Sequence, residues 1–317
     1  MNSAICTLFE GNYHYGVATL VNSLYAKGFR GHIYAGYKGQ LPKWAKDRYT
    51  NPDLNWNNAE TLKVANDCFL HFLPLETDYH LTNYKPDFML ELLDGPAKDT
   101  EAIFYYDPDI VIKCEWIFFE EWIKYGIGVV HEIIMNDMPP NHPVRMIWKK
   151  VIEDCNLEVK NSLNSYINGG FVGLLSKHKA FLENWKTIMK CGFSKYGMLP
   201  QQFDNNGLTR QHPFYMQDQD GLNMASMASP ITICDAGPEF MDFVPGGLCM
   251  SHALGNPKPW NKSYLKTFIT KASSPKLSDK QYWNIPNYPC KRHNYNYILF
   301  KKTVIKLTSF LSRFYSS

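Results

Sequence analysis

Residues 102–112, A-I-F-Y-Y-D-P-D-I-V-I, narrow the choice of fold more than any other stretch of the chain. β-Formers dominate and the apolar run is nearly unbroken, the mark of a strand covered on both faces. Such a strand needs helices on either side, so the expected class is α/β. The start of the chain agrees: a short apolar run at 4–9 closed by Gly11, a helical pattern over 13–27, and a second run at 32–37. Further along, the pattern predicts a helix over 87–93, a strand at 127–130 and a helix over 179–189. An Asn-, Ser- and Gly-rich loop runs into a strand within 161–175, and the last helical stretch covers 297–314. Beyond Pro257, proline and serine punctuate the sequence, and secondary structure is legible only in that last helix.

With 317 residues, 45% of them hydrophobic, the chain can bury one large core. No run approaches the roughly 20 uncharged apolar residues of a membrane span. The first residues lack the basic-then-apolar layout of a signal peptide, so a cytoplasmic location is expected. The eight cysteines show neither a C-x-x-C pair nor regular spacing. Free thiols are expected, not a disulfide framework or a zinc knuckle. The net charge of +3 conceals an asymmetry. Of 33 basic and 30 acidic residues, 12 and one lie from Phe243 onward, leaving 21 and 29 before it. A tail of +11 beside a body of −8 is suited to phosphates or anionic lipid.

Asp107 and Asp109 interrupt the apolar strand. An extended chain repeats its side-chain direction every two residues, so both carboxylates can face one side. Buried and unpaired they would be costly, and a divalent cation removes that cost; hard oxygen ligands suit Mg²⁺ or Mn²⁺, which also bind diphosphate oxygens. A D-P-D triplet alone is common, and its plainer reading is a surface turn. His252 opens H-A-L-G-N-P-K-P-W, where Gly255 would let the backbone approach a phosphate and Lys258 would neutralise it. His252 could complete a metal site of mixed oxygen and nitrogen ligands. In M-Q-D-Q-D-G-L-N, residues 216–223, Asp218 and Gln219 can hydrogen-bond sugar hydroxyls. Asp220 is better placed as an acidic residue at a helix N-terminus.

Taken in order, D-P-D at 107–109, N-G-G-F-V-G-L at 168–174, D-Q-D-G-L-N at 218–223 and H-A-L-G-N-P-K-P-W at 252–260 resemble the retaining glycosyltransferases of family eight. That family includes glycogenin and the bacterial lipopolysaccharide galactosyl- and glucosyltransferases. The resemblance implies a GT-A fold: one Rossmann-like α/β domain with a mixed central sheet, here residues 1–265, followed by a basic helical extension, 266–317. It further implies Mn²⁺ (or Mg²⁺) held by Asp107, Asp109 and His252 against the diphosphate of a UDP-sugar, with Gly255 and Lys258 on the phosphates. Glu10, Asn12 and Tyr13 match the loop that grips the nucleoside, and the implied donor set takes in Thr7, Phe9, Lys85 and Tyr106. Asn168 and Asp218 would hold sugar hydroxyls, with Gln219 near the anomeric carbon and Asp218 the lesser candidate for a nucleophile. The chain departs from the family in carrying Glu10 where aspartate is common, a proline after Lys85, and proline at the centre of D-P-D.

The implied activity is hexosyl transfer to a glycan or lipid-linked glycan in surface polysaccharide or glycoconjugate synthesis. In the last helix Phe300, Val304, Leu307, Leu311 and Phe314 recur at helical spacing, flanked by Lys302, Lys306 and Arg313. That pattern predicts peripheral contact with an anionic membrane surface, against the alternative of a helix packed on the domain. Two rival functions use similar residues: a non-catalytic carbohydrate-binding protein on the same fold, and a nucleotidyltransferase that makes the activated sugar. The second usually carries a glycine-rich basic loop near its start, which F-E-G-N-Y-H-Y does not resemble. The basic tail, being interleaved with an apolar stripe, is not a nucleic-acid motif.

Overall fold

A computed structural model of the chain describes residues 1–133, 135, 137–203 and 208–315. Its centre is a nine-stranded mixed sheet. The strands are β1 (Ser3–Glu10), β2 (Gly31–Lys38), β3 (Tyr49–Thr50), β4 (Glu60–Ala65), β5 (Cys68–Pro74), β6 (Ala102–Tyr106), β8 (Ile127–Val130), β9 (Phe171–Leu175) and β10 (Ile233–Ala236), in the order β10-β8-β9-β6-β1-β2-β5-β4-β3. A separate antiparallel pair joins β7 (Ile110–Ile112) to β11 (Met250–His252). β1 runs parallel to β2 and β6, whereas β9 is antiparallel to β6 and β8.

Each central strand is buried on both faces, as its apolar run requires. On β1, Ala4, Cys6 and Leu8 enter one core while Ile5 and Phe9 enter the other. On β6, Ile103 and Tyr105 face the first core, and Ala102, Phe104 and Tyr106 the second. Helices α1 (His14–Ala26) and α3 (Ile117–Trp122) contribute to the second core; α2 (Lys85–Asp94), α4 (Pro143–Asp154), α5 (Ala180–Lys195) and α6 (Asp218–Ala228) contribute to the first. The fold is thus α/β with a mixed central sheet and C-terminal helices.

Residues 102–112 are not one strand. The chain turns at Asp107-Pro108-Asp109, where the Ile110 N–H donates to the Asp107 carbonyl (3.0 Å), and continues as β7 outside the main sheet. Proline has no N–H to offer a ladder, so the break falls where the sequence carries it. Gly16 of α1 lies against this turn: a Cβ there would stand 2.2 Å from the Pro108 carbonyl oxygen.

The region beyond Pro257 holds more helix than its sequence suggested: α7 (Tyr264–Lys271), α8 (Leu277–Asn284) and α9 (Tyr295–Leu311). They share a cluster of Trp260, Tyr264, Tyr282, Trp283, Ile298 and Ile305, packed against Tyr13 and Tyr15. The face of α9 turned inward is Ile298, Lys301, Ile305 and Thr308. Of the expected stripe, Phe300, Leu307 and Phe314 are exposed, while Val304 and Leu311 are partly covered. No helix among the described residues is long and apolar enough to cross a membrane. All eight cysteines are free thiols.

Candidate active site

A cavity of 670 Å³ opens where the parallel strands β1, β6 and β8 end, the edge at which open α/β sheets bind ligands. Segments distant in sequence meet there. The D-P-D turn brings Asp107 and Asp109. The β7–β11 ladder sets His252 opposite Ile110, and the Ala253 N–H donates to the Asp109 carbonyl (3.1 Å). The His252 Nε2 lies 3.3 Å from Asp109 Oδ1 and 3.8 Å from Asp107 Oδ2. One donor atom from each of the three lies within 4.8 Å of the others. Two hard carboxylate oxygens and an imidazole nitrogen form a set that can hold a divalent cation. The carboxylates converge through the turn, and not through the alternation of an extended strand.

Two lysines balance these carboxylates. Lys85, at the first turn of α2, is completely buried and donates to Asp218 Oδ2 (2.8 Å), the Gly169 carbonyl (2.8 Å) and Asp107 Oδ1 (3.2 Å). Burial opposes its charge, but Asp107 and Asp218 more than offset that and hold its pKa above the ordinary lysine value. Lys258 pairs with Asp109 and donates to the Ala253 carbonyl (3.0 Å). Burial alone would raise the Asp109 pKa, yet His252 and Lys258 keep it well below the usual carboxylate range.

The segment before β9 is tied to α6. Asn223 both accepts from and donates to the backbone of Ile167 (2.9 Å each), and the Gln219 Oε1 accepts from the Gly169 N–H (2.8 Å). Asn168 donates to Glu132 Oε2 (2.6 Å) and accepts from the Gly170 N–H (2.8 Å). Gly170 has no room for a side chain, since a Cβ would sit 2.5 Å from His252 Cε1. Asp220 is buried beneath the site, accepting from the Tyr166 hydroxyl (2.7 Å) and the Met216 N–H (2.6 Å). Burial, partly countered by those two donors, pushes its pKa up to about 7.

Of the residues singled out from the sequence, Phe9, Glu10, Asn12, Tyr13, Lys85, Asp107, Asp109, Asn168, Asp218, Gln219, His252, Gly255 and Lys258 line the cavity. Thr7 and Tyr106 do not. Thr7 is buried three residues before the end of β1. Tyr106 belongs to the core on the far side of the sheet, packed on Phe119 and Phe171. Alternation along β6 gives the cavity Tyr105 instead, whose hydroxyl donates to Asp107 Oδ1 (2.9 Å). Glu132 was not legible in advance. It lies two residues past the end of β8, so the available signal was a carboxylate just beyond a buried apolar strand.

No protein-family model matches the chain, and no curated protein matches it in sequence. Among solved structures it is similar to the apo structure of WbbM, described as a bifunctional glycosyltransferase, with a TM-score of 0.52 at 14% identity. That similarity covers 94% of this chain and 51% of the other, so the chain spans about half the length of the protein it matches. A likeness at this identity establishes a glycosyltransferase-like fold.

Proposed function

We propose that the chain is a metal-dependent, retaining glycosyltransferase that moves a hexose from a UDP-sugar to a glycan or lipid-linked glycan, acting from the cytoplasmic side at an anionic membrane surface. The observation that carries this reading is the convergence of Asp107, Asp109 and His252 on a cavity that Lys85, Asn168, Asp218, Gln219 and Lys258 also line. Asp107, Asp109 and His252 would hold the cation, Mn²⁺ or Mg²⁺. Once bound, it supplies Lewis-acid neutralisation of the donor diphosphate. Lys258, on the same side, stabilises the negative charge that gathers on the departing phosphate oxygen. Glu10, Asn12 and Tyr13 form the wall for the nucleoside.

The arrangement around Asp218 favours front-face attack over a covalent intermediate. Its carboxylate is engaged by the buried Lys85, which lowers its readiness to act as a nucleophile. Gln219, held through its Oε1 by the Gly169 N–H, is a neutral amide beside the reacting sugar and serves as a stabiliser. The test is calorimetric binding of UDP with Mn²⁺, with Mg²⁺ and with chelator, for the wild type and Asp109→Asn. Manganese-dependent binding that the substitution abolishes while the variant still melts cooperatively is the expected result. UDP binding indifferent to chelator and to the substitution, or no nucleotide binding by the wild type, would overturn the reading.

A further inference from the structure

A second cleft, of 330 Å³, lies between α8 and α9, away from the cavity at the sheet edge. Lys280, Lys302, Lys306 and Arg313 line it together with Trp283 and Phe310. None of these four cations forms an ion pair with any described residue. The only acidic side chain from Phe243 onward, Asp279, is taken up by Lys262 (2.7 Å) and the Lys276 N–H (3.0 Å). Partial burial, Arg292 and Lys306 all press the Lys302 pKa downward, so its charge is uncompensated. Ser309 lines the same cleft, and its buried hydroxyl has no hydrogen-bond partner among the described residues. Converging unpaired cations around an unsatisfied hydroxyl form a receptor for a group with negative charge and several acceptor oxygens.

The surroundings narrow the ligand further. Along α9 and the 3-10 turn Ser312–Phe314 that continues it, the spacing of Lys302, Lys306, Ser309 and Arg313 gives a basic strip beside the inward face, and on its other side stand Leu299, Phe300, Leu307, Phe310 and Phe314, each about half exposed or more. We propose that the α8–α9 cleft binds a phosphate or diphosphate group, with the neighbouring apolar face suited to one carried by a lipid. The site is independent of the donor reading, and only its lipid source rests on the membrane contact proposed above.

The experiment uses the full chain in chelator, to silence the cation site, with Lys302→Gln/Lys306→Gln as the variant. Inorganic pyrophosphate is titrated calorimetrically, and flotation is measured with vesicles of phosphatidylcholine alone and with added phosphatidylglycerol. Losing two lysines should weaken phosphatidylglycerol-dependent flotation about thirtyfold. Pyrophosphate should compete with the vesicles and bind the variant poorly. Pyrophosphate binding lost in the variant, without flotation of the wild type, supports the phosphate site and assigns it to a free anion. Both lysines are solvent-accessible, so an unchanged melting temperature shows the variant is folded. Unchanged binding of both probes by the variant, or binding of neither by the wild type, overturns the proposal.

Discussion

A single methyl group decides whether His252 keeps its place. The Cβ of Gly170→Ala would fall 2.5 Å from His252 Cε1 and 2.9 Å from Asn168 Oδ1, so the imidazole must move. The expected outcome is manganese affinity reduced at least tenfold by calorimetry, with a stability loss of about 1–3 kcal/mol in denaturant unfolding. Asp220 makes a prediction of opposite kind. Its folded pKa of about 7 lies above that of a free carboxyl, so the folded chain binds the proton more tightly than the unfolded one. That contribution is complete below the unfolded pKa and disappears as pH rises through 7. The wild type should therefore lose melting temperature between pH 5 and 8, and Asp220→Asn should lack this component of the slope. The aspartates and His252 were legible as residues because burying them needs a reason. Glu132 and Tyr105 were not, because what distinguishes them is where a strand ends and which face it presents.

Elements were legible where periodicity and burial agreed. The opening strand-helix-strand, the helix over α5 and the strand β9 follow from their patterns, since each presents one apolar stripe or run to a core. The D-P-D turn was harder, because apolarity on both sides of it hides a change of sheet. α7 and α8 escaped notice for a different reason: they are eight residues each and pack mainly aromatic side chains, so neither shows a long apolar period. α9 has two roles to reconcile. Its exposed face is the one proposed to meet a membrane, yet Ile298 and Ile305 share a buried cluster with Trp283 and Tyr264, and the Lys301 ammonium donates to the Lys262 carbonyl (2.7 Å). Removing residues 294–317 should thus cost roughly 3–6 kcal/mol of stability from those two isoleucines alone. A melting curve lower than wild type by several degrees is the expected check, and an unchanged one would show that α9 is not part of the packed body.

Over the whole molecule, the sheet order joins segments far apart in the chain. β1 pairs with β6 about a hundred residues away, and β7 with β11 about 140 residues away. The α/β class was legible because local patterns specify it. The pairing of β7 with β11 was not, since no local property of either three-residue strand names its partner. That ladder also sets a timetable. Ribosomes emit about 5–20 residues per second and domains fold as units, so Asp109 emerges several seconds or more before the strand carrying its partner imidazole. Pairings of such high sequence separation are slow to form because the intervening loop must close first. The nascent chain therefore presents two aspartates that do not yet make a chelating trio. The trio proposed to hold a cation can assemble only after residues 250–252 have been made and paired with β7.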